Sequence, residues 1–300
     1  MQKSSSVLIL VGCIFLGSAL GIGINLSVNY LFELKPLVHA TDTAFRQELP
    51  DRWYLRMFLN GITHSFTFLL PAVLYWKLFE GRKLKDISEK KLVSVSLMWV
   101  ALAVIIVLIP INQKIIEWNQ NINLPTNFDQ IENWMRVTEY EKSLVTQQLL
   151  QIDSFSELIV ALGVFGVVGP IGEEVLFRGV LQRKLIEWKV TPAAGIWIVA
   201  LLFSIIHFQF YGFFPRLFLG ALFGYLFYWS GNLWVAIGAH VVNNSVFVMT
   251  AFVKQNWPSL FKTVNIVSGN DLSVFVSVLI SVFMLFLFRK KNLNNRRTDN

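Results

Sequence analysis

Residues 7–32 read VLILVGCIFLGSALGIGINLSVNYLF, a run of 26 residues without one charged side chain. At about 1.5 Å of rise per helical residue, the run is longer than a hydrocarbon core of about 30 Å. Lys3 precedes it and Gly-Ser-Ala stands at 17–19, but the run is too long for the apolar region of a cleaved signal peptide. It predicts a first transmembrane helix. Cys13, the only cysteine, lies inside it. Neither an intramolecular disulfide nor a cysteine metal cluster is therefore available.

The rest of the chain repeats the pattern. Of 300 residues, 54% are hydrophobic and 15% charged, and the mean hydropathy is +0.54. A soluble domain carries about 25% charged residues. Helical spans are expected at about 6–32, 56–79, 92–111, 155–184, 192–211, 215–230, 232–252 and 272–288. Short alternating segments of the kind a membrane β-barrel uses are not seen. The expected fold is all-α, a polytopic integral membrane protein of about eight transmembrane helices with helices 4 to 7 as its core.

Charge placement orients these spans. Lys3, the group Arg82, Lys83, Lys85, Lys90 and Lys91, the group Arg183, Lys184 and Lys189, and the tail residues Arg289, Lys290, Lys291, Arg296 and Arg297 share one side if there are eight crossings. The opposite side receives 112–148, where Glu117, Asp129, Glu132, Glu139 and Glu141 outnumber Lys114, Arg136 and Lys142. By the positive-inside rule, both termini are expected in the cytoplasm. Trp53, Trp76, Trp188, Trp229 and Trp234 fall near expected helix ends, where an amphipathic ring favours the interface. An amphipathic helix is expected at about 128–150. The net charge of +7 is thus explained by membrane orientation, with lipid and not nucleic acid as the partner. No Walker loop or dinucleotide fingerprint occurs, so no nucleotide is expected either.

Ionisable groups at depth are costly, by at least about 2.5–3.5 kcal/mol at the centre of a lone helix. Here they are few: Glu173, Glu174 and Arg178 within GPIGEEVLFRG (169–179), His207, His240 followed by Asn243 and Asn244, and His64. Counted from Arg183 as the interface, Glu173 lies about 15 Å deep. His207 is about 22 Å from Pro192, and His240 and Asn244 are about 12 and 18 Å from Asn232. Carboxylate, imidazole and amide from three helices thus share one layer. Glu174 and Arg178 are i, i+4 and can pair, and Glu173 points about 100° away from them. His240 and Asn244 are also i, i+4. Gly169, Pro170 and Gly172 predict a kink or break, tolerated where a helix lines a polar cavity. His64, with Asn60 and Thr63 near it, is read as interior polar packing.

These groups fit hydrolysis of an amide bond by activated water. A glutamate beside a histidine can take a proton from water and return it to the leaving amine. An imidazole and an asparagine amide can donate to the developing oxyanion. Alternatively, Glu173, His207 and His240 form the two-histidine, one-carboxylate set that holds Zn²⁺ in many hydrolases. The residues leave both open. The usual zinc-protease HExxH is absent.

Three motifs carry a family resemblance. EEVLFR (173–178) is EExxxR, FSIIH (203–207) is FxxxH, and HVVNN (240–244) is HxxxN. In this order and at these separations, over about 155–250, the chain resembles the CPBP family of intramembrane proteases. That family includes type II CAAX prenyl endopeptidases and bacterial proteins of bacteriocin processing and self-immunity. The resemblance implies that Glu173 activates water with help from His207. It implies that His240 and Asn244 form the oxyanion site, and that Glu174 and Arg178 orient the others. It also implies a bacterial cell membrane location, a protease core at 151–252 between three helices with a loop (1–150) and a last helix with its basic tail (253–300), and a hydrophobic, lipidated or leader-bearing peptide as substrate. Two other classes fit an intramembrane polar cluster. One is a non-proteolytic immunity or scaffold protein binding a membrane sensor or toxin receptor. The other is a proton-relay transporter, disfavoured because no internal repeat is found.

Overall fold

The computed structural model describes residues 3–34, 43–88, 95–268 and 270–298, and among these residues it is helical with no strand. Lys90 and Lys91 of the expected basic loop lie outside the described residues, as do the side chains of Lys3, Arg296 and Arg297. The helices are α1 (Lys3–Leu31), α2 (43–79), α3 (Val95–Val107), α4 (Ile109–Gln120), α5 (Asp129–Leu149), α6 (Phe155–Glu187), α7 (Pro192–Ile205), α8 (Phe213–Ser230), α9 (Leu233–Asn256), α10 (Pro258–Ser268) and α11 (Asp271–Thr298). Among the described residues six helical stretches are long and apolar enough to cross a membrane, or seven if α3 and α4 make one bent span. Their outward faces suit lipid: Leu8 and Phe15 on α1 and Phe275 and Phe283 on α11 are each more than 60% exposed. Water would not tolerate so extensive an apolar surface.

Two expected spans differ. The third, 92–111, bends by 43° between Val107 and Ile109. Pro110 sits at the start of α4 and has no N–H for the preceding turn, so the straight helix cannot continue. The fifth, 192–211, stops at Ile205 after 14 residues, about 21 Å, too short for the hydrocarbon core. Phe208 adopts a left-handed φ of 48°, which ends a helix. The Nδ1–H of His207 turns back 2.6 Å to the Phe203 carbonyl. The chain then makes a 3₁₀ turn (Phe210–Gly212) and enters α8.

Helix α6 is continuous where a kink or break was expected. Two π-helical segments, Leu162–Val168 and Val175–Gln182, flank a short α turn, Gly169–Glu174. The Gly169 N–H reaches back to the Val164 carbonyl. In that register residue 170 would donate to Phe165, but Pro170 has no N–H. The wider turn gives the proline ring room, and it leaves the Phe165 carbonyl without a helical donor. Close approach of neighbouring helices depends on glycine here. A Cβ on Gly166 would lie 2.9 Å from Ser245 Oγ on α9. Small residues at such crossings are the usual means of packing helices in lipid.

α6 and α8 are joined by polar contacts at matching intervals. Arg178 Nη2 donates to the Gly220 carbonyl at 2.8 Å, and Gln182 Nε2, four residues on, donates to the Gly224 carbonyl at 3.0 Å. Near the far end of α6, Glu80 accepts from Lys184 at 2.8 Å and from Tyr75 at 2.7 Å. Burial alone would raise the Glu80 pKa, but those donors and the nearby Arg82 overcome it and hold the carboxyl below its ordinary value. Trp76 is buried between the Arg82 and Arg183 guanidinium groups, and Trp53 is buried with its N–H on the Leu149 carbonyl. Neither is the interface anchor its position predicted, because each indole N–H finds a backbone acceptor inside the fold.

α5 is the expected amphipathic helix. Ile131, Trp134, Val137 and Tyr140 form an exposed apolar stripe at three-residue intervals, suited to lying along the membrane interface. Its polar side faces the loop that carries His207. Lys142 Nζ lies 2.5 Å from the His207 carbonyl, and Glu139 accepts the Tyr211 N–H at 3.2 Å. Asn119, at the end of α4, pins the same loop through the Phe210 carbonyl and the Phe214 N–H.

Candidate active site

Glu173 and Glu174 lie near the middle of the 33-residue α6. Both are buried, as are Arg178 and His240. One Glu173 oxygen, Oε1, is 2.8 Å from His64 Nε2 on α2, and the other, Oε2, is 3.7 Å from His240 Nε2 on α9. His240 Nδ1 is 2.8 Å from Glu174 Oε1, which also takes Arg178 Nη1 at 2.5 Å. The adjacent glutamates point apart, as their spacing predicts, yet they meet the same imidazole on its two nitrogens.

Aromatic rings wall this cluster. Phe223 stacks on His240 with centroids 4.7 Å apart. The Arg178 guanidinium lies between Phe203 and Phe223, at 5.0 and 5.5 Å. Phe203 also contacts both His240 and His207 edge-on, at 5.9 and 5.0 Å. The phenylalanine of the FxxxH motif thus separates two histidines. His207 stays within electrostatic range of Glu173.

Two expectations change. His64 is not mere interior packing, because it makes the hydrogen bond to Glu173. Its one sequence signal was an ionisable group on an apolar helix, with nothing to name its partner 109 residues away. Asn244 is already engaged: its Nδ2 donates to the Phe165 carbonyl at 3.1 Å, and its Oδ1 accepts from Asn243. It satisfies the acceptor that Pro170 orphans. Of the zinc set, Glu173 and His240 adjoin, with Oε2 3.7 Å from Nε2, while His207 turns its Nδ1–H to Phe203. Among the described residues no three His, Cys, Asp or Glu side chains form a metal-holding group.

A family model described as "Type II CAAX prenyl endopeptidase Rce1-like" matches residues 155–246. A relative, "Uncharacterized protein YpbD" of Bacillus subtilis (strain 168), is 34% identical over 79 residues, 25% of this chain and 37% of the relative. The chain thus aligns with little more than a third of that protein's length. No solved structure matches. Glu173, Glu174, Arg178, His207, His240 and Asn244 all fall inside the matched segment, whereas His64 falls outside it. Residues 155–246 thus resemble the type II CAAX prenyl endopeptidase family, within a polytopic helical membrane protein.

Proposed function

We propose that the chain is an intramembrane endopeptidase that hydrolyses a peptide bond in a hydrophobic substrate. The observation that carries this reading is the Glu173 carboxylate, buried in mid-helix between His64 and His240 inside an Rce1-like segment. Glu173 is the general base. The Nδ1–H of His207 is donated to a carbonyl, which can only accept. In the neutral imidazole, Nε2 is then an acceptor, able to hold the water beside Glu173. Water oxygen attacks the peptide carbonyl carbon while its proton passes to Glu173.

The tetrahedral oxyanion needs donors. In the imidazolium form, in which both ring nitrogens donate, His240 Nδ1–H goes to Glu174 and Nε2–H to the oxyanion. Glu174 and Arg178 hold that imidazole in orientation. Asn244 Nδ2 keeps one N–H on Phe165 and has a second to give. Collapse breaks the C–N bond, and Glu173 returns the proton to the leaving amine.

The test is cleavage of a hydrophobic peptide library by protein in proteoliposomes, read by mass spectrometry, beside Glu173→Gln and His207→Ala. Products from wild type and from neither variant support the reading. Equal cleavage by all three overturns the assigned mechanism. A cellular phenotype kept by both variants favours an immunity or scaffold role.

A further inference from the structure

The loop between α7 and α8 gathers more positive charge than its fold uses. Arg216, on the first turn of α8, donates Nη1 to the Gln209 side chain at 3.0 Å and Nη2 to the Gln209 carbonyl at 2.6 Å. Its Nε is buried with no hydrogen-bond partner. The guanidinium lies flat on Gly212, where a Cβ would meet Nη2 at 2.7 Å. Lys142 reaches in from α5 to the His207 carbonyl and lies over the Phe208 ring at 5.3 Å. Burial holds the Lys142 pKa below its ordinary value, and the Arg216 charge lowers it further. The two cations are thus close enough to repel. Glu139 offsets them in part, but its carboxylate is bonded to the Tyr211 N–H and to neither cation.

We propose that Lys142 and Arg216 form a carboxylate-binding subsite beside His207, which receives an acidic group of a peptide, either its free C-terminus or an Asp or Glu side chain. This rests on the peptide-hydrolase reading of the neighbouring Glu173 site. A planar carboxylate suits a guanidinium fork with an N–H to spare, and an ammonium alongside completes the charge balance. A peptide is favoured over a lipid phosphate by the exposed side of α5. There Ile131, Trp134 and Val137 face outward, so the bilayer surface meets an apolar stripe while the cations lie behind it. The subsite adjoins His207, so an anchored acidic group would set which peptide bond lies at Glu173. Lys142 stands outside the matched segment of 155–246.

The experiment measures binding without turnover. Glu173→Gln protein in nanodiscs of neutral lipid is titrated with a dansylated hydrophobic hexapeptide as free acid and as C-terminal amide. A third probe is the amide carrying one penultimate Asp. The acid, or the Asp-bearing amide, should bind about ten- to a hundredfold tighter than the plain amide, and which one does so identifies the source of the carboxylate. Adding Arg216→Gln or Lys142→Gln should weaken that binding to the amide level while amide binding stays unchanged, which also shows that the variants are folded. Equal binding of the three peptides, including none, overturns the proposal, as does a preference that survives both substitutions. Turnover by wild-type protein separates the two readings. A binding preference without any cleavage sinks the hydrolase and keeps the subsite, whereas equal cleavage of all three peptides does the reverse.

Discussion

His64 and Glu173 lie 2.8 Å apart across α2 and α6, with 109 residues of chain between them. The imidazole lends a donor to a carboxylate that lipid would otherwise make costly, and it leaves the second oxygen facing His240. Replacing Glu173 with Gln keeps an acceptor but removes the base. Cleavage should fall by about 10²–10⁴-fold while tryptophan fluorescence reports an intact fold. His64→Ala should cost about ten- to a hundredfold in rate, and His64→Gln, which can still donate, should recover part of it. Wild-type turnover in His64→Ala would show that the contact is structural only.

Asn244 and Pro170 are coupled through one carbonyl. Asn244→Ala leaves the half-buried Phe165 oxygen without that partner, at a cost of about 1 kcal/mol. In a Pro170→Ala background, residue 170 has an N–H that can donate to Phe165. Asn244→Ala should then cost less, which a double-mutant cycle on unfolding in detergent measures. Additive costs would show that the proline is not what orphans that carbonyl.

Glu174 and Arg178 are both fully buried. Arg178→Met leaves the Glu174 carboxylate to His240 alone and should destabilise by about 3–5 kcal/mol. Glu174→Gln together with Arg178→Met should regain much of the loss, since the neutral amide needs no guanidinium. Thermal unfolding of the single and double variants decides this. A double variant no more stable than Arg178→Met alone would mean that the guanidinium acts chiefly through its bond to Gly220.

Glu80 ties pH to stability. Its folded pKa is held below the ordinary value of 4.5. The ionised, bonded form therefore contributes stability that is fully present above about pH 4.5 and is lost as pH falls through the lower folded value. Wild type should lose unfolding temperature over that window more steeply than Glu80→Gln, which has no carboxylate to protonate. Parallel pH profiles would count against the network.

Much of the molecule was legible in the order of its residues. Charge-free runs are read by length alone, because a bilayer demands that each span satisfy its own backbone. The i, i+4 spacing of Glu174 and Arg178 is a local fact of helix geometry, and it produced the observed pair. The six motif residues also fall within the segment matched to the Rce1-like family.

What sequence determined, then, was a polytopic helical class and the identity of most polar groups in its interior. Tertiary structure alone decided their partners. α7 ends early because the loop after it is pinned by Asn119 and Lys142 from other helices. Asn244 serves Phe165 because the π-helical register of α6 and the missing N–H of Pro170 leave an acceptor facing α9. His64 joins Glu173 because α2 crosses α6 at that level. Spacing along a helix gives a side chain its direction, but only packing determines what it meets.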